Sequence, residues 1–162
     1  MQIDTMAIRI TCGSGEGPTE IASYDAALHE AGISNYNLVQ VSSMIPRGAG
    51  VEVVKKMPDL GPFGDRLWVV QAKTTLKGRN KKAVAGLAWA KGEKAGIFYE
   101  SSGGDDEEDV RKELNQGIEY CKGLRDWEFG DTNMKINSSD ISKSEFVTSV
   151  VVGVYGKSEN MF

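Results

Sequence analysis

Hydrophobic and polar residues alternate in several short segments of the chain, and this pattern predicts β-strands. The predicted strands cover residues 6–12, 36–42, 51–54, 67–75, 95–101, 134–138 and 145–155, the last two as a closing strand pair. Residues 83–90 are almost entirely apolar, and periodicity does not distinguish a helix from a strand in so short a run.

Two segments have the spacing of amphipathic helices. The first is predicted from Thr19, a good N-cap residue, to Ala31, with Gly32 in the position of a C-terminal glycine. Its apolar face would contain Ile21, Tyr24, Leu28 and Ile33. The second helix is predicted over 105–124, with acidic residues in its first turn. Its apolar stripe would contain Val110, Leu114, Ile118, Cys121 and Leu124. About six or seven strands with two helices indicate an α/β sandwich of the α+β type, a single domain over 1–162.

A glycine-rich segment, Gly13 to Gly17, lies between the first strand and the first helix. The order resembles a dinucleotide-binding fingerprint, but the third glycine of that motif would fall on Pro18. Glu16 would also bring a carboxylate towards a bound phosphate. The segment is therefore predicted to be a tight turn that needs small residues.

Composition narrows the classes of function. The chain has 162 residues and a formal net charge of −4, which argues against nucleic-acid binding. No apolar run reaches the length of a membrane span, and the start, Met1 to Asp4, does not resemble a secretory signal. Cys12 and Cys121 lie far apart, and His29 is the single histidine, so no metal site is predicted. A cytoplasmic location fits this cysteine usage.

The most informative segment is Asn37-Leu38-Val39-Gln40-Val41-Ser42-Ser43-Met44-Ile45-Pro46. By composition alone it is a strand that ends in two serines before a proline. However, the segment resembles the self-cleaving Ser-Ser site of the pyruvoyl-dependent arginine decarboxylases. The resemblance is ungapped over about 13–46, where the glycine-rich segment and the blocks 24–28 and 31–38 also match, and it returns at 96–104. Residues 47–50 and 59–89 depart from the family pattern.

The resemblance implies a four-layer αββα sandwich that assembles as a trimer or a dimer of trimers, with active sites between neighbouring subunits. It implies cleavage between Ser42 and Ser43 into a β chain of 1–42 and an α chain of 43–162. Ser43 would become a covalent pyruvoyl group, the cofactor for decarboxylating L-arginine to agmatine and CO2 in polyamine synthesis.

The resemblance also assigns roles to individual residues. Glu100 would be the general acid and base, and Asn37, six residues before Ser43 on the same predicted strand, would be an oxyanion donor. Asp25 would bind the cationic end of the substrate. Three residues would line the methylene stem of the substrate, namely Leu28, Tyr36 and Met44.

Two alternatives remain open at this point. The same pyruvoyl chemistry could serve another amino acid, with histidine as the second choice. The chain could also be an uncleaved, non-catalytic paralogue, although Asn37, Ser42, Ser43 and Glu100 are all present.

Overall fold

Nine β-strands and two α-helices are present in residues 6–162, the part of the chain that this computed structural model describes. The segment Met1 to Asp4, on which no secretory signal was predicted, lies outside the described residues. The strands are β1 (Ala7–Gly17), β2 (Asn37–Gln40), β3 (Met44–Ile45), β4 (Gly50–Val53), β5 (Arg66–Lys77), β6 (Val84–Ala90), β7 (Gly96–Glu100), β8 (Asn133–Ser138) and β9 (Phe146–Glu159). The helices are α1 (Glu20–Ala31) and α2 (Glu107–Gly123).

The strands form two sheets that are stacked between the two helices. The five-stranded sheet has the order β2-β5-β9-β1-β4, and the four-stranded sheet has the order β3-β7-β6-β8. Helix α1 packs on the five-stranded sheet, whereas α2 packs on the four-stranded sheet. This arrangement confirms the predicted four-layer αββα sandwich.

Three apolar clusters fill the spaces between the four layers. In β9 the side chains of Val150, Val152 and Val154 pack towards α1, whereas Val151 packs between the sheets. This division follows from the two-residue period of a strand, which sends successive side chains to opposite faces. In α2 the buried residues Val110, Leu114 and Ile118 lie on one stripe and cover the four-stranded sheet.

The glycine-rich segment is a strand, so the prediction of a tight turn there was wrong. Residues 13–17 form the second half of β1 and pair with β9 along their whole length. The glycines are needed because α1 lies directly on this strand. A Cβ at Gly13 would lie 2.3 Å from the carbonyl oxygen of Ala27, and a Cβ at Gly15 would lie 2.5 Å from the Ala26 Cβ.

Other predictions of local structure had mixed outcomes. Gly32 ends α1 in the left-handed conformation with φ 83°, as predicted, and the undecided segment 83–90 is the buried strand β6. The closing strand pair was wrong, because β8 pairs with β6 and β9 pairs with β1 and β5 in the other sheet. Ile21 and Leu124 were also placed wrongly on the apolar faces, since they are 80% and 65% exposed.

Candidate active site

The two serines lie where the chain crosses from one sheet to the other. Strand β2 belongs to the five-stranded sheet and β3 to the four-stranded sheet, so residues 41–43 connect the two layers. Ser43 has φ 54°, in the left-handed region that residues other than glycine rarely adopt. Strain of this kind is concentrated at functional sites, where surrounding contacts hold it in place.

The contacts of Ser43 come from the neighbouring strand β7. The Ser43 hydroxyl donates a hydrogen bond to the Glu100 carboxylate, and the backbone N–H of Phe98 donates to the Ser43 carbonyl at 2.9 Å. Strands β3 and β7 are antiparallel, with Met44 opposite Ile97. This register brings the end of β7, and with it Glu100, beside the serine.

A cavity of about 190 Å³ opens beside this pair, and we call it the Ser43 cavity. It is lined by Ser42, Ser43, Met44, Ile97, Phe98, Tyr99, Glu100, Cys121 and Arg125. Arg125, which follows α2, donates to the Cys121 carbonyl at 2.9 Å and approaches the Met44 Sδ at 3.7 Å. A carboxylate and a guanidinium therefore line one small, half-buried space.

Tyr155 approaches the same site from the other sheet. Its hydroxyl donates to the Met44 carbonyl at 2.7 Å, and its ring meets the Phe98 ring edge-on with centroids 6.3 Å apart. Burial, and secondly the Glu100 charge, raise the pKa of Tyr155 well above its usual range. The hydroxyl is therefore protonated at neutral pH and acts as a donor.

A second and larger cavity, of about 580 Å³, lies between α1 and the start of β2, and we call it the Asp25 cavity. Its lining includes Asp25, Leu28, Tyr36 and Asn37. The Tyr36 hydroxyl donates to the Gly61 carbonyl at 2.8 Å, and the Asn37 side-chain amide donates to the Gly64 carbonyl at 2.7 Å.

The structure thus divides the predicted site residues between two places. Ser42, Ser43, Met44 and Glu100 share the Ser43 cavity, whereas Asp25, Leu28, Tyr36 and Asn37 share the Asp25 cavity. In residues 6–162 no hydrogen bond joins the Asn37 amide to either serine, because the chain has left the five-stranded sheet before it reaches Ser43.

Sequence reasoning did not find Arg125 or Tyr155. Both are far from the serines along the chain, and neither lies in a motif. Tyr155 falls within the predicted strand 145–155, which was paired with the wrong strand in the sequence analysis. The only signal for Tyr155 was the alternation of apolar residues in β9. That alternation predicts the face of the sheet on which a side chain lies, but not the residue that it contacts.

The residues present fit a pyruvoyl group derived from Ser43. The Phe98 N–H already donates to the carbonyl of residue 43. The Glu100 carboxylate contacts the Ser43 side chain, from which the pyruvoyl group would be made. Residues 6–162 contain no group of three His, Cys, Asp or Glu side chains able to hold a metal ion. Neither described helix is long and apolar enough to cross a membrane.

The αββα fold and the serine–glutamate pair at a sheet crossing agree with the class of enzymes that derive a pyruvoyl cofactor from their own chain. The pyruvoyl-dependent arginine decarboxylase family model matches residues 7–160. A pyruvoyl-dependent arginine decarboxylase of Halobacterium salinarum is 42% identical over 156 residues, covering 96% of this chain and 97% of the relative. Those of Methanothermobacter thermautotrophicus and Thermococcus kodakarensis are 31% and 34% identical, covering 91% and 82% of this chain and 95% and 83% of each relative.

The chain belongs to the pyruvoyl-dependent arginine decarboxylase family. Membership implies a covalently bound pyruvoyl cofactor, as the sequence resemblance predicted.

Proposed function

We propose that the chain cleaves itself between Ser42 and Ser43 and then decarboxylates L-arginine to agmatine and CO2, which would supply polyamine synthesis. The observation that carries the proposal is the hydrogen bond from the Ser43 hydroxyl to the Glu100 carboxylate, at a serine with φ 54°. A serine hydroxyl is a weak nucleophile unless a base accepts its proton, and Glu100 is positioned to be that base.

In the proposed cleavage the Ser43 Oγ attacks the carbonyl carbon of Ser42, and the C–N bond breaks as an ester forms. The freed amine of Ser43 takes up a proton. Loss of the Ser43 Cα proton then expels the Ser42 carboxylate from the Cβ and leaves dehydroalanine. This species tautomerises to an imine, and one water hydrolyses the imine to release ammonia. The products are a β chain of 1–42 and an α chain that begins with a pyruvoyl group at 43.

The pyruvoyl group supplies the electron sink that decarboxylation of an amino acid needs and that no standard side chain provides. The chain's own residues have the remaining tasks. Asp25 pairs with the substrate guanidinium, for which a planar carboxylate is the natural bidentate acceptor. Glu100 returns a proton to the α-carbon after CO2 leaves. The methylene stem of the substrate lies against Leu28, Tyr36 and Met44.

We infer that each active site is shared between two subunits of a trimer or a dimer of trimers. The Ser43 cavity and the Asp25 cavity have no lining residue in common, so binding and chemistry are separated within one subunit. Asp25 of one subunit would face Ser43 of a neighbour. Asn37, from the Asp25 cavity, would then donate its amide across this interface. Two free cysteines suit a reducing compartment, and we propose a cytoplasmic location.

Intact mass under denaturing conditions tests the cleavage. We expect two fragments that divide at 42/43, the larger one lighter by one ammonia than a chain beginning with serine. One species at 17.6 kDa would instead favour the non-catalytic paralogue. Steady-state rates of CO2 release on arginine and on histidine then test the substrate, and equal or faster turnover of histidine would overturn the assignment of arginine.

A further inference from the structure

We propose that Tyr155 is a positioning residue for self-cleavage. It holds the Met44 carbonyl so that Ser43 keeps the conformation in which its hydroxyl meets Glu100. This inference rests on the proposed function, because it concerns the efficiency of cleavage at 42/43.

The reason to expect such a residue is the shortness of β3. The strand has two residues, Met44 and Ile45, and the Pro46 nitrogen carries no proton for a further ladder bond. Ser43 nevertheless keeps a positive φ, which costs energy for a residue with a Cβ. The few bonds that fix residues 43 and 44 therefore have to maintain this conformation.

Besides the contact of Arg125 with the Met44 Sδ at 3.7 Å, three bonds at these two residues extend beyond the β3–β7 ladder pairs. Two come from the four-stranded sheet, namely the Phe98 N–H to the Ser43 carbonyl and the Ser43 hydroxyl to Glu100. The third comes from the five-stranded sheet, where the Tyr155 hydroxyl donates to the Met44 carbonyl at 2.7 Å. Tyr155 thus ties the sheet crossing to the opposite layer.

The position of Tyr155 makes it a firm anchor. Its backbone lies in β9, which is paired on both sides, with Ile8 of β1 and Trp68 of β5 opposite Tyr155. Its ring is held against Phe98, the residue whose N–H binds the Ser43 carbonyl. One aromatic pair therefore supports the carbonyls of two successive residues, directly after the bond to be cleaved.

Without the Tyr155 hydroxyl the Met44 peptide loses its link to the five-stranded sheet, and residue 43 can relax towards an extended φ. The Ser43 Oγ would then move away from Glu100 and from the Ser42 carbonyl. We expect Y155F to slow cleavage by about tenfold, the scale of one lost hydrogen bond.

The experiment follows cleavage of newly synthesised, unprocessed chain by intact mass over time. Wild type, Y155F and the matched control T11V are compared, with thermal unfolding measured on each. Thr11 donates to the Ala31 carbonyl at 2.8 Å in the α1 layer, so T11V likewise removes one hydroxyl-to-carbonyl bond, away from the two serines. Slow cleavage in Y155F with a normal rate in T11V would support the inference.

The outcomes that overturn the inference are distinct. If wild type and Y155F cleave at the same rate, Tyr155 does not position Ser43, and the proposed function stands. If wild type stays at full mass, the proposed function itself fails, and the inference fails with it.

Should Y155F not fold, 3,5-difluorotyrosine at position 155 provides the second test. It keeps the ring and the hydroxyl but makes the phenol more acidic, so the donor is lost at a lower pH. We expect cleavage in this variant to fall at alkaline pH where wild type is still active. Identical pH profiles of the two proteins would overturn the inference.

Discussion

Replacing Glu100 by glutamine separates hydrogen bonding from proton transfer at Ser43. The glutamine amide is nearly the same shape as the carboxylate, and its oxygen can still accept the hydrogen bond from the Ser43 hydroxyl. It cannot take the proton when the hydroxyl attacks the Ser42 carbonyl. E100Q therefore tests whether this carboxylate is the base for cleavage or a structural partner of the serine.

The expected loss has two parts. A hydrogen bond to a charged group is stronger than one between neutral groups by about 1 kcal/mol or more, which is worth about fivefold or more in rate. General base catalysis contributes about 100-fold to 10,000-fold. We therefore expect E100Q to cleave at least about 100-fold more slowly than wild type, because the proton-transfer part alone accounts for that factor.

The assay is the time course of intact mass on unprocessed chain. The matched control is E30Q, which makes the same change in net charge at a carboxylate that accepts the Ser14 backbone N–H at 3.1 Å, outside both cavities. We expect E30Q to cleave at the wild-type rate. Cleavage of E100Q within about threefold of wild type would refute the assignment, since so small a change is less than general base catalysis provides.

Three further predictions concern packing, substrate binding and pH. Gly15→Ala places a Cβ 2.5 Å from the Ala27 nitrogen, so it should lower the free energy of unfolding by about 1–3 kcal/mol and Tm by a few degrees. The control Gly50→Ala, with no heavy atom within 4 Å of the added Cβ, should change Tm little. Equal losses of Tm in the two variants would contradict the packing argument. Asp25→Asn should raise KM for arginine by about tenfold to a hundredfold, while intact mass still shows wild-type cleavage; an unchanged KM would remove Asp25 from the guanidinium site. The raised pKa of Tyr155 in the folded state contributes stability that is complete below the ordinary value of 10.0 and is lost as pH rises above it. In urea unfolding at increasing alkaline pH, the free energy of unfolding should therefore decline less steeply in Y155F than in wild type. Parallel declines in the two proteins would contradict the raised pKa of Tyr155.

Local patterns predicted most elements and their buried faces, and the family resemblance implied the four layers, but neither identified the partner of every strand. Alternation in β1 and β9 and the apolar stripe of α2 are local patterns, so they predict which faces are buried. Pairing depends on contacts between distant residues, and for this reason β8 and β9, although adjacent in the chain, could not be assigned to different sheets. The glycines at 13–17 were misjudged for the same reason, since the helix that requires them packs across the strand in space.

The candidate site likewise has residues that were predicted from the sequence and residues that were not. The resemblance to a family assigned Ser43 and Glu100 to one active site, and the geometry brings the two side chains together. Arg125 lines the Ser43 cavity only because α2 ends there, and Tyr155 reaches the Met44 carbonyl only because β9 lies across the interface between the sheets. No residue spacing in the sequence predicts these contacts of Arg125 and Tyr155.

The place of the Ser42–Ser43 bond explains how a chain could be cut there and keep its fold. Before the bond, β1, α1 and β2 belong to the five-stranded side; after it, β3 begins in the four-stranded sheet. A cut between the two serines would sever one of the connections between the sheets and remove no ladder bond. The ten-residue register between β1 and β9, and that of β2 with β5, would hold the two fragments together. Such a cut would also let residue 43 leave its positive φ, while the Phe98 N–H and the Tyr155 hydroxyl would still hold the carbonyls that follow. The positive φ of Ser43 at the bond proposed to break, and the firm bonds to the residues that follow it, are therefore two consequences of one sheet crossing.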